Sequence, residues 1–180
     1  MFDRFGGESI SDAPPVDLAG ILEQAGVKLD TSKVPNFANF FYYSSIGHSP
    51  EISVIGSTNA LIGLFALCSK LTKIDKLILK ADGTNVFNNT FQKTIVLTDI
   101  VIEGVIGNNI DFAHSPLSKA SIESVLNALS DASTGKTATF SKYAVDTAFE
   151  TSTDLNDGSS SAEWLKLTQE DHSNWSFSLV

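Results

Sequence analysis

The sequence predicts an α/β fold, a short solenoid of stacked parallel strands with a helical cap at its N-terminal end and an α/β cap at its C-terminal end. Three observations carry that expectation. One apolar pattern occurs twice, as Phe65, Cys68, Leu71 and Ile74, each three residues after the last, and again as Phe91, Thr94, Leu97 and Ile100, 26 residues on (91 minus 65). A weaker copy, Phe40, Tyr43 and Ile46, stands 25 residues before the first (65 minus 40). Turn residues recur in phase, with Thr58-Asn59 and Thr84-Asn85 also 26 apart (84 minus 58), so two independent residue classes carry the period. After Ser115 the pattern changes to helical spacing, as a terminal cap requires. A period of roughly 20 to 29 residues with Leu, Ile and Phe at fixed positions is that of a leucine-rich solenoid, whose units bury their apolar edges only against their neighbours.

Residues 1–15 are rich in Gly, Ser, Asp and Pro without an apolar period, and read as an extended arm that docks onto a partner or as a frayed terminus. Residues 16–30 form the N-terminal capping element. Leu18, Ile21 and Leu22 lie at helical spacing, and Gly26 stands where a helix C-cap wants it. The solenoid proper is expected over residues 31–114. Its first unit is irregular, with Phe37 and Phe40 expected in the core, and Ile52-Ser53-Val54 alternates as a short strand. In the next unit Leu61–Leu67 reads as a helical turn and Leu77-Ile78-Leu79 as a strand closed by Asp82-Gly83. The third runs through Phe91 to Ile100 and Ile102, closed by Gly104 and by Gly107-Asn108-Asn109. Register is open at this level, because one unit spaces its apolar residues as Ile74, Leu77, Leu79 and the next as Ile100, Ile102, Val105.

Residues 115–180 form the C-terminal capping module. Ser118 can cap a helix carrying Ile122, Val125, Leu126 and Leu129 at i, i+3, i+4 and i+7. Thr137–Ser141 alternates as a strand, Ser141 can cap a helix holding Val145 and Phe149, and Ser152–Ser161 is a polar loop. Ser160 with Glu163 is a capping box opening a helix through Trp164, Leu165 and Leu167. Trp175, Phe177 and Leu179 alternate as a closing strand that, with its neighbour, is expected to extend the sheet. Trp164 and Trp175 are expected in the core of the cap.

The 180 residues suit one domain, and a hydrophobic content of 42% supports a real core. A formal charge of −9, from 12 basic and 21 acidic side chains, repels phosphate backbones, so nucleic acid is not an expected partner. Lys70, Lys73, Lys76 and Lys80 are interleaved with Asp75 and Asp82 and read as a solvated face. Met1–Glu8 carries Asp3, Arg4 and Glu8 with no apolar run behind it, which does not resemble a secretory signal, and no run approaches the length of a membrane span. The lone Cys68 occupies a repeat position and reads as a small buried hydrophobe rather than a nucleophile.

Chemistry-bearing motifs are weak. Gly135-Lys136-Thr137 matches the end of a phosphate loop, but it follows a helix and precedes a strand, the reverse of the required order. Asp154–Gly158 with Glu163 imitates a calcium loop with its ligand positions out of phase. His48, His114 and His172 show no metal-ligand spacing and read as exposed loop residues. No catalytic residue, metal or cofactor is assigned.

At the repeat residues a resemblance becomes visible. Phe65-x-x-Cys68-x-x-Leu71-x-x-Ile74 and its copy at Phe91 resemble the leucine-rich repeats of the BspA-like class, found in bacterial surface proteins and in bacteriophage structural proteins. The tail, with Leu117-Ser118, Gly135-Lys136-Thr137, Phe140-Ser141-Lys142, Glu163-Trp164-Leu165 and Asn174-Trp175, resembles the C-terminal module that follows such repeats in phage or prophage tail and fibre proteins. That resemblance implies a non-enzymatic virion component, a fibre, tail-tip or decoration protein, in contact with other virion proteins or with a host-surface protein or glycan. The alternative is a bacterial cell-surface adhesion module of the same class. Binding is expected on the outer sheet face, at Lys76, Ile78, Lys80, Asp99, Val101 and Glu103, and at the exposed aromatic pair Tyr42 and Tyr43. Self-association edge to edge or face to face is a further expectation.

Overall fold

The computed structural model describes residues 13–149 and 160–180, and shows a mixed α/β chain built on parallel strands. Strands β1 (Val16–Asp17), β2 (Ile46–Ser49), β3 (Ile52–Ser53), β4 (Lys73–Ile78) and β5 (Asp99–Glu103) form one sheet in which every pairing is parallel. Both β2 and β3 pair with β4, and β5 pairs with the other edge of β4. Parallel neighbours need long connections, and here those from β2 and β3 to β4 and from β4 to β5 are chains of tight turns rather than helices.

The turns repeat as regularly as the strands. Positive φ angles fall at Asn39, Gly63 and Asn89, and four residues later at Tyr43, Leu67 and Lys93. Backbone N–H groups alternate between closing a local turn and reaching the next unit. Leu64 and Ala66 donate to Leu61 and Gly63, while Gly63, Phe65 and Leu67 donate to Asn88, Thr90 and Gln92. Asn39, Phe41 and Tyr43 donate in the same way to Ile62, Leu64 and Ala66. Every second amide is thus satisfied between units, which a helix could not do, since it consumes its N–H groups internally. The helical turn expected at Leu61–Leu67 is therefore a turn ladder.

A stack of aromatic rings runs through the core. Phe41, Phe65, Phe91, Phe112 and Phe140 stack in succession, with centroids 5.5, 6.2, 4.4 and 6.2 Å apart and planes within 23° of parallel. The first unit is registered one residue later than the apolar spacing suggests. Phe41 joins the stack, whereas Phe40 is 40% exposed and meets Phe37 and Phe41 edge-on, so the expected burial holds for Phe37 and not for Phe40. The reason is the local φ pattern, which turns residues 39 and 43 left-handed and brings Phe41 inward between them.

The open question of register resolves as a bulge. Ile74 pairs with Ile100 and Leu77 with Ile102, so β4 carries one residue more than β5 between the two pairs. Both Asp75 and Lys76 therefore leave the core, opposite the single Val101. Asn85 holds the following turn from the inside. Fully buried, its Oδ1 accepts from the Lys80 amide at 2.7 Å and its Nδ2 donates to Ser57 and Val54 carbonyls at 3.1 and 3.4 Å.

The C-terminal strands do not extend this sheet. Helix α2 (Lys119–Asn127), capped by Ser118 as expected, takes the place beside β5, where Ser121 and Ser124 hydroxyls accept from the Ile100 and Ile102 amides at 2.9 and 2.8 Å. These side chains close the free edge of β5. Strands β6 (Ile110–Phe112), β7 (Lys136–Phe140) and β8 (Trp175–Leu179) form a second parallel sheet that continues the aromatic stack from the turn side, through Phe112 and Phe140. Helices α3 (Lys142–Phe149) and α4 (Ser160–Asp171) close the end, with Trp164 edge-on to Phe140 and Phe177. Trp164 and Trp175 are buried, as expected. At the other end α1 (Leu18–Gln24) follows β1 and ends near Gly26 at φ +64°. The stack crosses position 114, so the boundary expected there does not divide the core. The arm over residues 1–12, the polar loop and calcium-like sequence over 151–159 and the side chains of Ser160 and Glu163 lie outside the described residues.

Cys68 is buried and its Sγ donates to the Phe41 carbonyl at 2.8 Å, with Ser44 Oγ 3.6 Å away. Burial pushes the thiol up from its ordinary range, more than the Ser44 contacts lower it. Native protein is expected to resist a thiol reagent at pH 8 until denaturant is added; fast, complete native labelling would contradict this burial.

Candidate functional site

Strict alternation along β5 sends Ile100 and Ile102 inward and Asp99, Val101 and Glu103 outward. On β4 the bulge adds to the same face, which therefore carries Lys73, Asp75, Lys76 and Ile78 beside β5. Of the sequence-derived candidates, Lys76, Ile78, Asp99, Val101 and Glu103 are brought together here. Lys80 falls two residues past the end of β4, where its Nζ lies 3.4 Å from Asp82 and joins the turn rather than the sheet row. Tyr42 and Tyr43 are exposed, but on the first turn ladder instead of the strands.

Charges on the face pair with one another. Lys76 Nζ lies 3.1 Å from Glu103 and 3.7 Å from Glu51, and its ammonium is held above the usual range, first by the Glu103 hydrogen bond. Between these pairs Val101 stands 50% exposed, and Ile78 is partly exposed. A groove of about 530 Å³ adjoins the face where it meets α1, lined by Leu22, Val27, Leu29, Pro50, Glu51 and Ile78.

A second row gathers at the N-terminal side. His48 on β2 was expected in a loop, yet its ring lies between two carboxylates, with Nδ1 2.9 Å from Asp17 and Nε2 2.8 Å from Asp75. Lys73 Nζ is 2.9 Å from the same Asp75 oxygen. Burial raises the Asp75 carboxyl, but the hydrogen bonds from His48 and Lys73 outweigh it and leave it below its ordinary value. Lys73 is raised, chiefly by its hydrogen bond to Asp75. Sequence reasoning missed this cluster although the period contained it. His48 pairs with Lys73 and Lys73 with Asp99 in the strand register, 25 and 26 residues apart (73 minus 48, 99 minus 73). Of the other histidines, His114 is exposed in a turn, as expected, while His172 is partly buried beside Phe177, and its Nδ1 has no hydrogen-bond partner among the described residues.

The depressed carboxyls set an acid limit. Asp75 lies below its ordinary value of 3.8, as do Asp82 and Asp30, through hydrogen bonds from Thr84 and Ser32. Such groups stabilise the fold above the unfolded-state value, and that contribution is lost as pH falls through the folded values. The Tm is expected to fall as pH drops below about 4, and less steeply in Asp75→Asn. Equal acid sensitivity in the variant, read by calorimetry, would contradict the assignment to Asp75.

Among the described residues no group of three or more His, Cys, Asp or Glu side chains is arranged to hold a metal ion, and no helix is long and apolar enough to cross a membrane. Comparison of the chain with protein families, with curated proteins and with solved structures finds no match. What the geometry defines is a mixed α/β chain with two parallel sheets, the first of which presents one charge-paired, partly apolar strand face.

Proposed function

We propose that the chain is a short leucine-rich-repeat solenoid of BspA-like type, and that it serves as a non-enzymatic structural component of a bacteriophage virion, in a fibre, tail-tip or decoration position. Its strand face contacts other virion proteins or a host-surface protein. The observation that carries this reading is the exposed Val101, with the partly exposed Ile78 further along β4 across from Glu103, among charges already paired within the face. An apolar centre with a polar rim suits protein docking, and rim charges that keep their partners lose less on desolvation than free ones. A net charge of −9 favours such a partner over nucleic acid.

The second reading, a bacterial cell-surface adhesion module, is favoured by Tyr42 and Tyr43, adjacent exposed aromatics of the kind that stack on sugar rings. Immunogold labelling with an antibody to the chain separates the two. Label on purified phage particles, lost on Val101→Glu, supports the virion component. Label confined to the bacterial envelope, with bare particles, would overturn it in favour of adhesion.

A further inference from the structure

We propose that His48 is a pH-responsive clamp that holds the N-terminal β1–α1 segment on the stack when its imidazole is charged and loosens it when the ring is neutral. The geometry makes the two states unequal. Both ring nitrogens face carboxylate oxygens, Asp17 at 2.9 Å and Asp75 at 2.8 Å, and an ionised carboxylate only accepts. Both contacts are hydrogen bonds only while both nitrogens carry protons. A neutral ring keeps one N–H and turns a lone pair toward the other carboxylate.

Asp17 is the partner that gives way. Asp75 sits on the inner strand β4 and keeps Lys73 at 2.9 Å, whereas Asp17 is exposed on a two-residue edge strand. The same Asp17 Oδ1 caps α1 by accepting from the Gly20 amide at 2.7 Å, so its displacement loosens the helix start as well as β1. The charged groups around the ring come from three strands. Asp17 belongs to β1, Asp75 and Lys73 to β4, and Asp99 on β5 acts on the cluster through Lys73. Among the described residues no further acidic side chain lies within ion-pair distance of the imidazole. Imidazole changes charge between about pH 5 and 8. The bound proton favours the docked segment, so docking is strongest at the acid end of that window and weakens as pH rises.

Hydrogen exchange of the full chain tests this, at about pH 5.5 and about pH 8, corrected for the intrinsic exchange rate. The reporter is the Val16 amide, which donates to the Ser45 carbonyl, and the reference is the buried Ile100 amide, which donates to the Ser121 hydroxyl where α2 covers the edge of β5. Protection at Val16 is expected to be about two- to five-fold higher at the lower pH, the scale of a partly exposed ion pair, with a smaller ratio at Ile100. In His48→Gln the Val16 ratio should fall to that of the reference. In Asp75→Asn, where a neutral ring can donate to Asp17 without facing a second carboxylate, the ratio should also shrink. A wild-type Val16 ratio no larger than that of Ile100, or an undiminished ratio in both variants, would overturn the clamp.

Discussion

Truncating Phe65 to alanine is expected to destabilise the protein by about 3–5 kcal/mol, the range for removing a fully buried aromatic ring. Phe65 is completely buried, stacked on Phe41 on one side and Phe91 on the other, so the cavity would open inside the stack and not at its end. The turn ladder around it is pinned between units by hydrogen bonds on both sides, which limits the collapse that could refill the space. A domain of this size has about 5–15 kcal/mol in total, so the loss is a large share of it. Urea unfolding read by circular dichroism measures it. Phe40→Ala, one residue from the stack but 40% exposed, should lose much less. Equal losses at Phe40 and Phe65 would mean that the ring stack does not support the fold.

The second large effect is expected at Gly104, just after β5. Its φ is +101°, and a Cβ there would stand 2.6 Å from the Leu79 carbonyl oxygen and 3.1 Å from the Leu79 Cβ. The backbone cannot step aside freely, because the Leu79 amide donates to the Glu103 carbonyl at 2.8 Å. Gly104→Val therefore combines a forbidden φ for a β-branched residue with a clash against main chain, about 2–5 kcal/mol together. Gly26 supplies the contrast. It also has positive φ, +64°, but nothing lies within 4 Å of a Cβ there, so Gly26→Ala should cost only the conformational part, about 1–2 kcal/mol. Similar unfolding midpoints for Gly104→Val and Gly26→Ala would remove the close approach as an explanation.

These two positions show how much of the molecule the sequence makes legible. Period and apolar class are visible in Phe65, Leu71 and Ile74 and their copies, because each unit must bury the same edge. The strand at Asp99–Glu103, the helix capped by Ser118 and the burial of both tryptophans follow from the same rules of alternation and capping. Register inside the first unit does not, since Phe40 and Phe41 are chemically identical and only the left-handed backbone at Asn39 and Tyr43 decides which one enters the core. The bulge at Asp75-Lys76 is likewise decided by pairing with β5, a non-local fact. Alternation at Thr137–Ser141 and Trp175–Leu179 reads as two strands extending the first sheet, because strands in sequence usually join one sheet, whereas the serine hydroxyls of α2 close β5 and these strands join β6 in a sheet of their own on the turn side.

The outer face was legible for the same reason the strands were. Once Ile100 and Ile102 point inward, Asp99, Val101 and Glu103 must point outward. The His48 cluster was not, because Asp17, His48 and Asp75 lie on three strands and no spacing within any one segment unites them. A search along the repeat period, aligning His48, Lys73 and Asp99, would have found the column but not the bulge that brings Asp75 to the ring.

The turn ladder ties each unit to the next, and its hydrogen bonds can be observed one at a time. Through-hydrogen-bond scalar couplings measured by NMR should connect the amide nitrogens of Gly63, Phe65 and Leu67 to the carbonyl carbons of Asn88, Thr90 and Gln92, and those of Asn39, Phe41 and Tyr43 to Ile62, Leu64 and Ala66. Couplings from those amides to carbonyls four residues earlier in the same segment would instead mean helical connections, and the stacked-unit architecture would be wrong.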